Sequence, residues 1–240
     1  MSESTSEATM SPRPRTIGIV WLLYFAVGIL SALLTKGIVA HGDAAATAHN
    51  ILAHPALWQA GISVDILANA IYLALTALLY EFFRPVNRTY ALMAAFFSVA
   101  GCIVQIMVDL LRMAGPVALA DAQLTGAFSA QQVNVSTLFG LTMFSRAYFI
   151  SYPLFALFEL TLGYLLLQAA FPKWLGIWWL VSGSAGLLFL WPPLGTPLRT
   201  VIIAINLAEF VLPILLLIKG GDASRWRRTF DSSRERVAVA

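Results

Sequence analysis

The sequence predicts an all-α fold, a polytopic membrane bundle of six transmembrane helices. The first observation is composition: the 240 residues are 59% hydrophobic and only 11% charged, whereas about 25% of residues are charged in soluble proteins. Such a chain has too little polar surface to cover a soluble core. The second observation is a series of apolar runs close to the roughly 20 residues that cross a ~30 Å hydrocarbon core. Short polar turns separate these runs.

The chain divides into a disordered cytoplasmic tail at 1–15, a six-helix membrane domain at 16–219 and a basic cytoplasmic tail at 220–240. The first apolar run exceeds the 7–15-residue core of a signal peptide, so we interpret it as a retained helix rather than a cleaved leader. The predicted spans are Ile17–Ala40, Pro55–Phe83, Thr89–Ala114, Arg146–Phe171, Trp174–Leu194 and Leu198–Lys219.

Two short extracytoplasmic helices are predicted before spans two and four. Asp43 can cap a helix over Ala44–Ala53, because its side chain can accept from exposed N–H groups. Ser129 and Gln132 have the spacing of a capping box that opens Ala130–Ser145. This second segment is rich in polar residues, so we interpret it as a surface helix. The intervening 115–126 is predicted to be a loop, and Pro153 is predicted to kink span four.

The basic residues predict the orientation. With six spans, eleven of the 15 Lys and Arg residues lie on the side that holds both termini, and four lie on the other side. Basic residues favour the cytoplasmic side, so both termini are predicted to be cytoplasmic. The net charge of +3 lies mostly at the chain ends, which argues against nucleic-acid binding. The predicted partners are therefore the lipid bilayer and a small polar ligand or ion; a protein partner is not predicted.

Four acids fall inside predicted spans: Asp65, Asp109, Glu159 and Glu209. A charged carboxylate near the centre of a membrane helix costs on the order of 2.5–3.5 kcal/mol on insertion scales, so it should face protein or water. Asp109 and Arg112 are one turn apart and are predicted to form a local ion pair. Glu159 and Glu209 lie near the bilayer midplane without a basic neighbour at the same depth, which makes them candidate functional groups.

Polar side chains form one stripe on each of spans two, three, four and six, mostly in the outer half. Helical spacing places Asp65 and Asn69 on one face with Tyr72. A vestibule open to the extracytoplasmic side would collect these stripes. The predicted ligand-binding residues are Asp65, Asn69, Gln105, Tyr152, Glu159, Asn206 and Glu209.

The sequence predicts neither a metal site nor catalytic residues nor a bound cofactor. His41, His49 and His54 share one extracytoplasmic segment, but their spacing matches no zinc motif, so we expect no metal site. Nucleophile motifs and phosphate-binding glycine loops are missing from the sequence, so neither catalytic residues nor a cofactor is predicted. Gly163 and the pair Gly183 and Gly186 are expected to permit close helix packing.

Several segments resemble a bacterial membrane-protein family known as domain of unknown function 4386 (DUF4386). They are Gly42–Ala48, Asn50–Ala53, Asp65–Leu67, Tyr80 with Arg84–Arg88, Leu162–Leu165 and Glu209 with Leu217–Gly220. The resemblance covers roughly residues 15–220. It implies a multi-helix protein, in the cytoplasmic (inner) membrane of a bacterium, and it implies no activity.

Three hypotheses for function remain open. The favoured one is a binding or transport protein for a proton, a cation or a small polar ligand. The second is an accessory membrane protein whose polar groups only hold the bundle together. The third is a membrane-embedded enzyme that uses paired carboxylates as acid and base on a lipid or prenyl substrate.

Overall fold

The structure, a computed structural model, describes residues 13–40, 42–120, 126–169 and 171–219. These residues are helical with short turns, and the described part contains no strand. Six helical segments are long and apolar enough to cross a membrane. They are Pro14–Leu34, Pro55–Phe83, Arg88–Met113, Ala130–Gln168, Lys173–Leu190 and Pro192–Ile218. The predicted all-α, six-span membrane architecture is therefore confirmed.

We number the α-helices in chain order. They are α1 Pro14–Leu34, α2 Ala44–Ala53, α3 Pro55–Phe83, α4 Arg88–Ala120, α5 Ala130–Tyr148, α6 Tyr152–Gln168, α7 Lys173–Gly186, α8 Pro192–Ile205 and α9 Ala208–Lys219, with a 3-10 helix at Leu187–Leu190 between α7 and α8. Helix α1 packs on α3 and α9, α4 packs on α3, α5 and α6, and α6 packs on α7.

The first two helices follow local signals. Helix α1 ends at Leu34 and not at Ala40 as predicted, because the chain turns at Gly37, which has a φ of 80°. Glycine adopts this left-handed conformation without steric cost. The cap on α2 is confirmed: the Asp43 carboxylate accepts from the Ala46 N–H at 2.9 Å. Pro55 then begins α3, where its missing N–H costs nothing.

The loop predicted at 115–126 is wrong in its first part, because α4 continues to Ala120. Residues 121–125 lie outside the described residues. Helix α5 does begin with the predicted capping box at Ser129, and the Ser129 N–H donates to Gln132 Oε1 at 2.8 Å. Helix α5 packs against α4 and α2. The candidate span Ala130–Gln168 includes both α5 and α6.

The boundaries of the last three spans also differ from those predicted. The helix predicted from Arg146 with a kink at Pro153 is two helices, and Pro153 lies in the first turn of α6. The helix predicted over Trp174–Leu194 ends as a 3-10 turn, and Pro192 opens α8. In each case a proline that the sequence placed inside or at the end of a helix begins one, since its ring is preorganised for the first helical turn.

The apolar core fills one end of the bundle. It joins Phe82 and Phe83 at the end of α3, and Val86 in the following turn, to Phe171 before α7. It also extends to Leu216 near the end of α9. Few polar side chains enter this end. The polar side chains at membrane depth lie toward the opposite end.

Glycines set the spacing between α6 and α7, as predicted. A Cβ on Gly183 would lie 2.6 Å from the backbone oxygen of Ala156, and one on Gly163 would lie 2.9 Å from the backbone nitrogen of Leu180. The two backbones therefore touch directly, which small residues permit in membrane bundles. This contact fixes the position of Glu159, which lies on α6 between these two points of contact.

The two predicted tails fall mainly outside the described residues. The structure begins at residue 13 and α1 begins at Pro14, so the end of the segment predicted as a tail is helical. Residues 220–240 are outside the described ranges, as is His41.

We expect Gly183→Ala to lower the thermal stability of the purified protein in detergent. The added methyl group would force α6 and α7 apart, and overpacking of this kind costs roughly 1–3 kcal/mol. Gly28→Ala in α1 is the matched control, because a Cβ there meets no atom within 4 Å. The control should keep or raise the melting temperature, since alanine favours helix by about 1 kcal/mol. Equal melting temperatures for the two variants would contradict the close contact.

Candidate functional site

A central cavity of about 200 Å³ lies among α1, α3, α4, α6 and the last span. Its described lining combines carboxyl, phenol and amide groups with aromatic walls. The lining residues are Tyr24, Tyr72, Gln105, Tyr148, Tyr152, Phe155, Ala156, Glu159, Gly186, Ile203, Asn206, Leu207, Glu209 and Phe210. None of these residues is Lys or Arg. The cavity therefore presents two acids and no compensating side-chain cation.

Glu159 is the less solvent-exposed of the two acids. Its residue is 2% exposed, and its Oε2 atom has no hydrogen-bond partner among the described residues. Glu159 and Glu209 lie nine residues before Gln168 and Ile218, which end their spans. At about 1.5 Å per residue both are about 14 Å from that end, near the middle of a ~30 Å core. The midplane depth of both acids stays a prediction.

The neighbouring polar groups, in contrast, bond to one another. Gln105 Nε2 donates to Ser151 Oγ at 3.2 Å, which ties α4 to the turn before α6. Ser182 Oγ donates to Asn206 Oδ1 at 2.8 Å, which ties α7 to the end of α8. These contacts stabilise the bundle, and they position the side chains around the two acids.

The last span is interrupted where it meets the central cavity. The Leu207 N–H donates to the Ala204 oxygen at 3.3 Å, and the Glu209 N–H donates to the Asn206 oxygen at 3.0 Å. An α-helix would use the carbonyls of Ile203 and Ile205 instead. Trp178 Nε1 donates to the Ile205 oxygen at 2.8 Å and replaces the lost partner. Irregular backbone at this depth is tolerated where it is buried in protein or lines a cavity.

Pro213 adds a second irregularity in α9, after the interruption. A proline inside a helix has no N–H for the carbonyl four residues earlier, and its ring clashes with that carbonyl. In α9 that carbonyl belongs to Glu209. The sequence around the acid therefore disfavours a continuous helix.

A second, lateral cavity of about 490 Å³ lies between α1 and α5. Small residues of α1 face aromatic and aliphatic residues of α5 across it. Its described lining is Gly28, Ser31, Ala32, Thr35, Val39, Trp58, Asp65, Arg112, Leu141, Phe144, Ser145, Tyr148 and Phe149. Tyr148 lines both cavities, so the two spaces are neighbours.

Arg112 holds two carboxylates at the lateral cavity. Its Nη1 atom lies 3.0 Å from Asp65 Oδ2 and 3.3 Å from Asp109 Oδ1. The guanidinium also lies between two rings, 5.5 Å from the centroid of Trp58 and 5.0 Å from that of Phe144. The predicted local pair between Asp109 and Arg112 exists, and Asp65 from α3 joins it.

The structure brings together five of the seven residues predicted to bind a ligand. Gln105, Tyr152, Glu159, Asn206 and Glu209 line the central cavity. The other two do not join them. Asp65 lines the lateral cavity, and Asn69 donates to the backbone oxygen of Asp65 at 3.1 Å and is not among the lining residues of either cavity.

Sequence reasoning missed two contributions to these cavities. Tyr24 of α1 lines the central cavity, although α1 has no polar stripe. Arg112 was assigned to a local pair, but it also neutralises an acid from another helix. A phenol at mid-helix in an otherwise apolar span was the one local signal for Tyr24.

The histidine segment shows no metal site in the part that the structure describes. Within the described residues, no group of three or more His, Cys, Asp or Glu side chains could hold a metal ion. His41 lies outside those residues, so the expectation for the three histidines as a set stays a prediction.

Comparison with known protein families shows which family this chain belongs to. The model of a domain of unknown function, DUF4386, matches residues 16–220. The chain belongs to the DUF4386 family. The resemblance noted in its sequence segments is thereby confirmed, and the match covers all six spans. No curated protein and no solved structure matches the chain. Family membership therefore supports a multi-pass membrane protein without assigning an activity, and function must be argued from the cavities.

We expect Arg112→Met to destabilise the protein strongly. The change leaves Asp65 and Asp109 without their counter-charge, and removing one partner of a buried ion pair costs about 3–5 kcal/mol. Arg199→Met is the matched control, because Arg199 is exposed on α8. Thermal unfolding in detergent should show a clear loss for Arg112→Met only.

A triple variant tests the cause of that loss. Arg112→Met combined with Asp65→Asn and Asp109→Asn removes the unpaired charges and should recover much of the stability. A triple variant no more stable than Arg112→Met would show that the lost packing against Trp58 and Phe144 matters more than charge.

Proposed function

We propose that this protein binds a small cation or a proton in the central cavity and moves it across the membrane. The observation that carries the proposal is Glu159: the residue is 2% exposed, it lines the central cavity, and its Oε2 atom has no hydrogen-bond partner among the described residues. An ionisable residue within a membrane span is a functional candidate by default. Glu209 contributes a second carboxyl to the same cavity.

A purely structural role explains the neighbours of Glu159 better than Glu159 itself. Gln105, Ser182 and Asn206 each bond to another side chain across helices. Such bonds are a common way to hold membrane helices together. A buried polar group without a partner works against stability, because its desolvation is not compensated. Glu159 is therefore better explained by a ligand than by packing.

The chemistry of the lining favours a cation. Two carboxyl groups face the cavity, and no Lys or Arg is among its described lining. The remaining polar groups are phenols and amides, whose oxygens suit hard cations. Ile203 also lines the cavity, and its carbonyl has lost its usual helical donor. Unwound carbonyls of this kind coordinate ions in transporters with broken helices.

The size of the cavity favours a small ligand over a lipid substrate. Pockets that bind drug-sized molecules have volumes of about 300–1,000 Å³, whereas the central cavity has about 200 Å³. A prenyl or acyl substrate would not fit within it. We therefore favour cation binding over acid and base catalysis on a lipid, although both carboxyls lie in one cavity.

The direction of access follows from the packing and the charges. The apolar core fills the end of the bundle that contains Val86 and Phe171, and the basic turn Arg84–Arg88 lies at that end. By the positive-inside rule this end is cytoplasmic. The cavity would then open to the extracytoplasmic side, in the cytoplasmic membrane of a bacterium, with both termini in the cytoplasm.

Reconstitution into liposomes tests the proposal. We expect the wild type to carry protons, sodium ions or methylammonium down an imposed gradient, followed with an internal pH dye or with radiolabelled cations. Glu159→Gln and Glu209→Gln should each reduce that flux by about tenfold or more, because one lost charge interaction of about 1.4 kcal/mol is a factor of ten. Glu81→Gln is the control, since Glu81 pairs with Arg84 in the turn region. A wild type that carries none of these cations, or variants with normal flux, would overturn the proposal.

Thermal stability separates this proposal from an accessory role. We expect Glu159→Gln to keep or raise the melting temperature in detergent, because Gln preserves the shape and removes a charge that no Lys or Arg of the described lining compensates. Functional residues are often placed at a cost in stability. A clear loss of stability would favour the accessory hypothesis instead.

A further inference from the structure

The lateral cavity has the size and lining of a binding site for an organic molecule. Its volume of about 490 Å³ lies within the range of small-molecule pockets. One wall is α1, where small residues keep the space open. A Cβ added at Gly28 would have no atom within 4 Å. The opposite wall is α5, with Leu141 and Phe144 one turn apart. The result is a largely apolar space bounded by rings.

The polar end of this cavity carries more negative than positive charge. Asp65 and Asp109 share the single cation of Arg112. The Asp65 side chain keeps 22% of its surface exposed and lines the cavity. Asp109 is 2% exposed, and its Oδ2 has no partner among the described residues. With both carboxyls ionised, the formal charge of the three groups is minus one, which favours a cation.

Arg112 is poorly available to an anion. Its guanidinium already faces two carboxylates and lies between the rings of Trp58 and Phe144. Each of these contacts stabilises the cation where it is. An anionic ligand would approach two acids to reach one occupied guanidinium. Charge complementarity therefore favours a positively charged ligand.

The central cavity also favours a positively charged ligand. Tyr148 separates the two spaces, and beyond it lie Glu159 and Glu209 without a lining Lys or Arg. A charged head that enters past Asp65 would meet two further carboxyls. Only the lateral cavity is large enough to hold a hydrocarbon body next to that head.

We propose that the lateral cavity binds an organic ammonium cation, with its charged head at Asp65 and its hydrocarbon body between the small residues of α1 and the side chains of Leu141 and Phe144 on α5. This inference rests on the proposed function, and it names the class of cation as an amine or quaternary ammonium that carries an apolar group.

Isothermal titration of the purified full-length protein in detergent tests the site with benzyltrimethylammonium. We expect saturable binding to the wild type. Tetramethylammonium lacks the hydrocarbon body, and phenylmethanesulfonate carries the same ring with the opposite charge; both should bind at least about tenfold more weakly. Equal binding of the sulfonate would overturn the charge assignment, and equal binding of tetramethylammonium would overturn the role of the apolar walls.

Two variants locate the binding. Asp65→Asn removes the proposed counter-charge and should weaken binding about tenfold. Because this change also breaks an ion pair, Ala32→Phe provides a second test that fills the cavity from α1 and leaves the charges intact. Leu33→Phe is its control, since Leu33 is 60% exposed and lies outside the cavity lining. Normal binding to Ala32→Phe would overturn the location.

The outcome is separable from that of the proposed function. A wild type that carries protons or sodium ions but does not bind benzyltrimethylammonium would overturn this inference alone. A wild type that binds it at the lateral cavity, while Glu159→Gln and Glu209→Gln retain full flux, would overturn the role of the central cavity alone.

Discussion

A polar group at the depth of the hydrocarbon core must be held by protein or by water, and this requirement governs the arrangement of the bundle. The four acids in the spans meet it in two different ways. Asp65 and Asp109 share one arginine, which joins α3 to α4. Glu159 and Glu209 face a common cavity whose described lining holds no basic residue. The first pair shares one basic partner, and the second pair has no basic partner in the described lining of its cavity.

The features that the sequence predicted well are those with a local physical cause. Hydropathy over about 20 residues is enough to identify the spans, because the bilayer thickness fixes their length. The caps at Asp43 and Ser129 depend only on residues within one turn. The tight contact of α6 with α7 follows from Gly163 and Gly183, since a Cβ at either position would lie less than 3.0 Å from the facing backbone.

Helix breaks were harder to predict, because proline has two opposite roles. Pro153 was expected to kink a helix, and Pro192 to help end one, but each lies in the first turn of a helix. Which role applies depends on packing around the chain and not on the neighbouring residues alone. The extension of α4 through residues 115–120 was missed for a similar reason, because a glycine and a proline there suggested a loop.

The candidate site was predictable in part for a related reason. Periodicity assigns a side chain to a face of its own helix, which correctly grouped Glu159 with Tyr152 and Asn206 with Glu209. It does not say which helix lies opposite. Asp65 was separated from the others by an arginine 47 residues away in the chain, and such a pairing has no local signature.

The interruption of the last span gives the central cavity an electrostatic asymmetry. Helix α8 ends at Ile205 and α9 begins at Ala208, so two helix ends meet at the level of the acids. The carbonyl end of a helix carries a partial negative charge of about half a unit, and the amide end carries a similar positive one. The end of α8 therefore favours a cation, and Glu209 lies in the first turn of α9, at the positive end of that helix. The backbone itself thus supports the separation of charge that a carboxylate and its bound cation require.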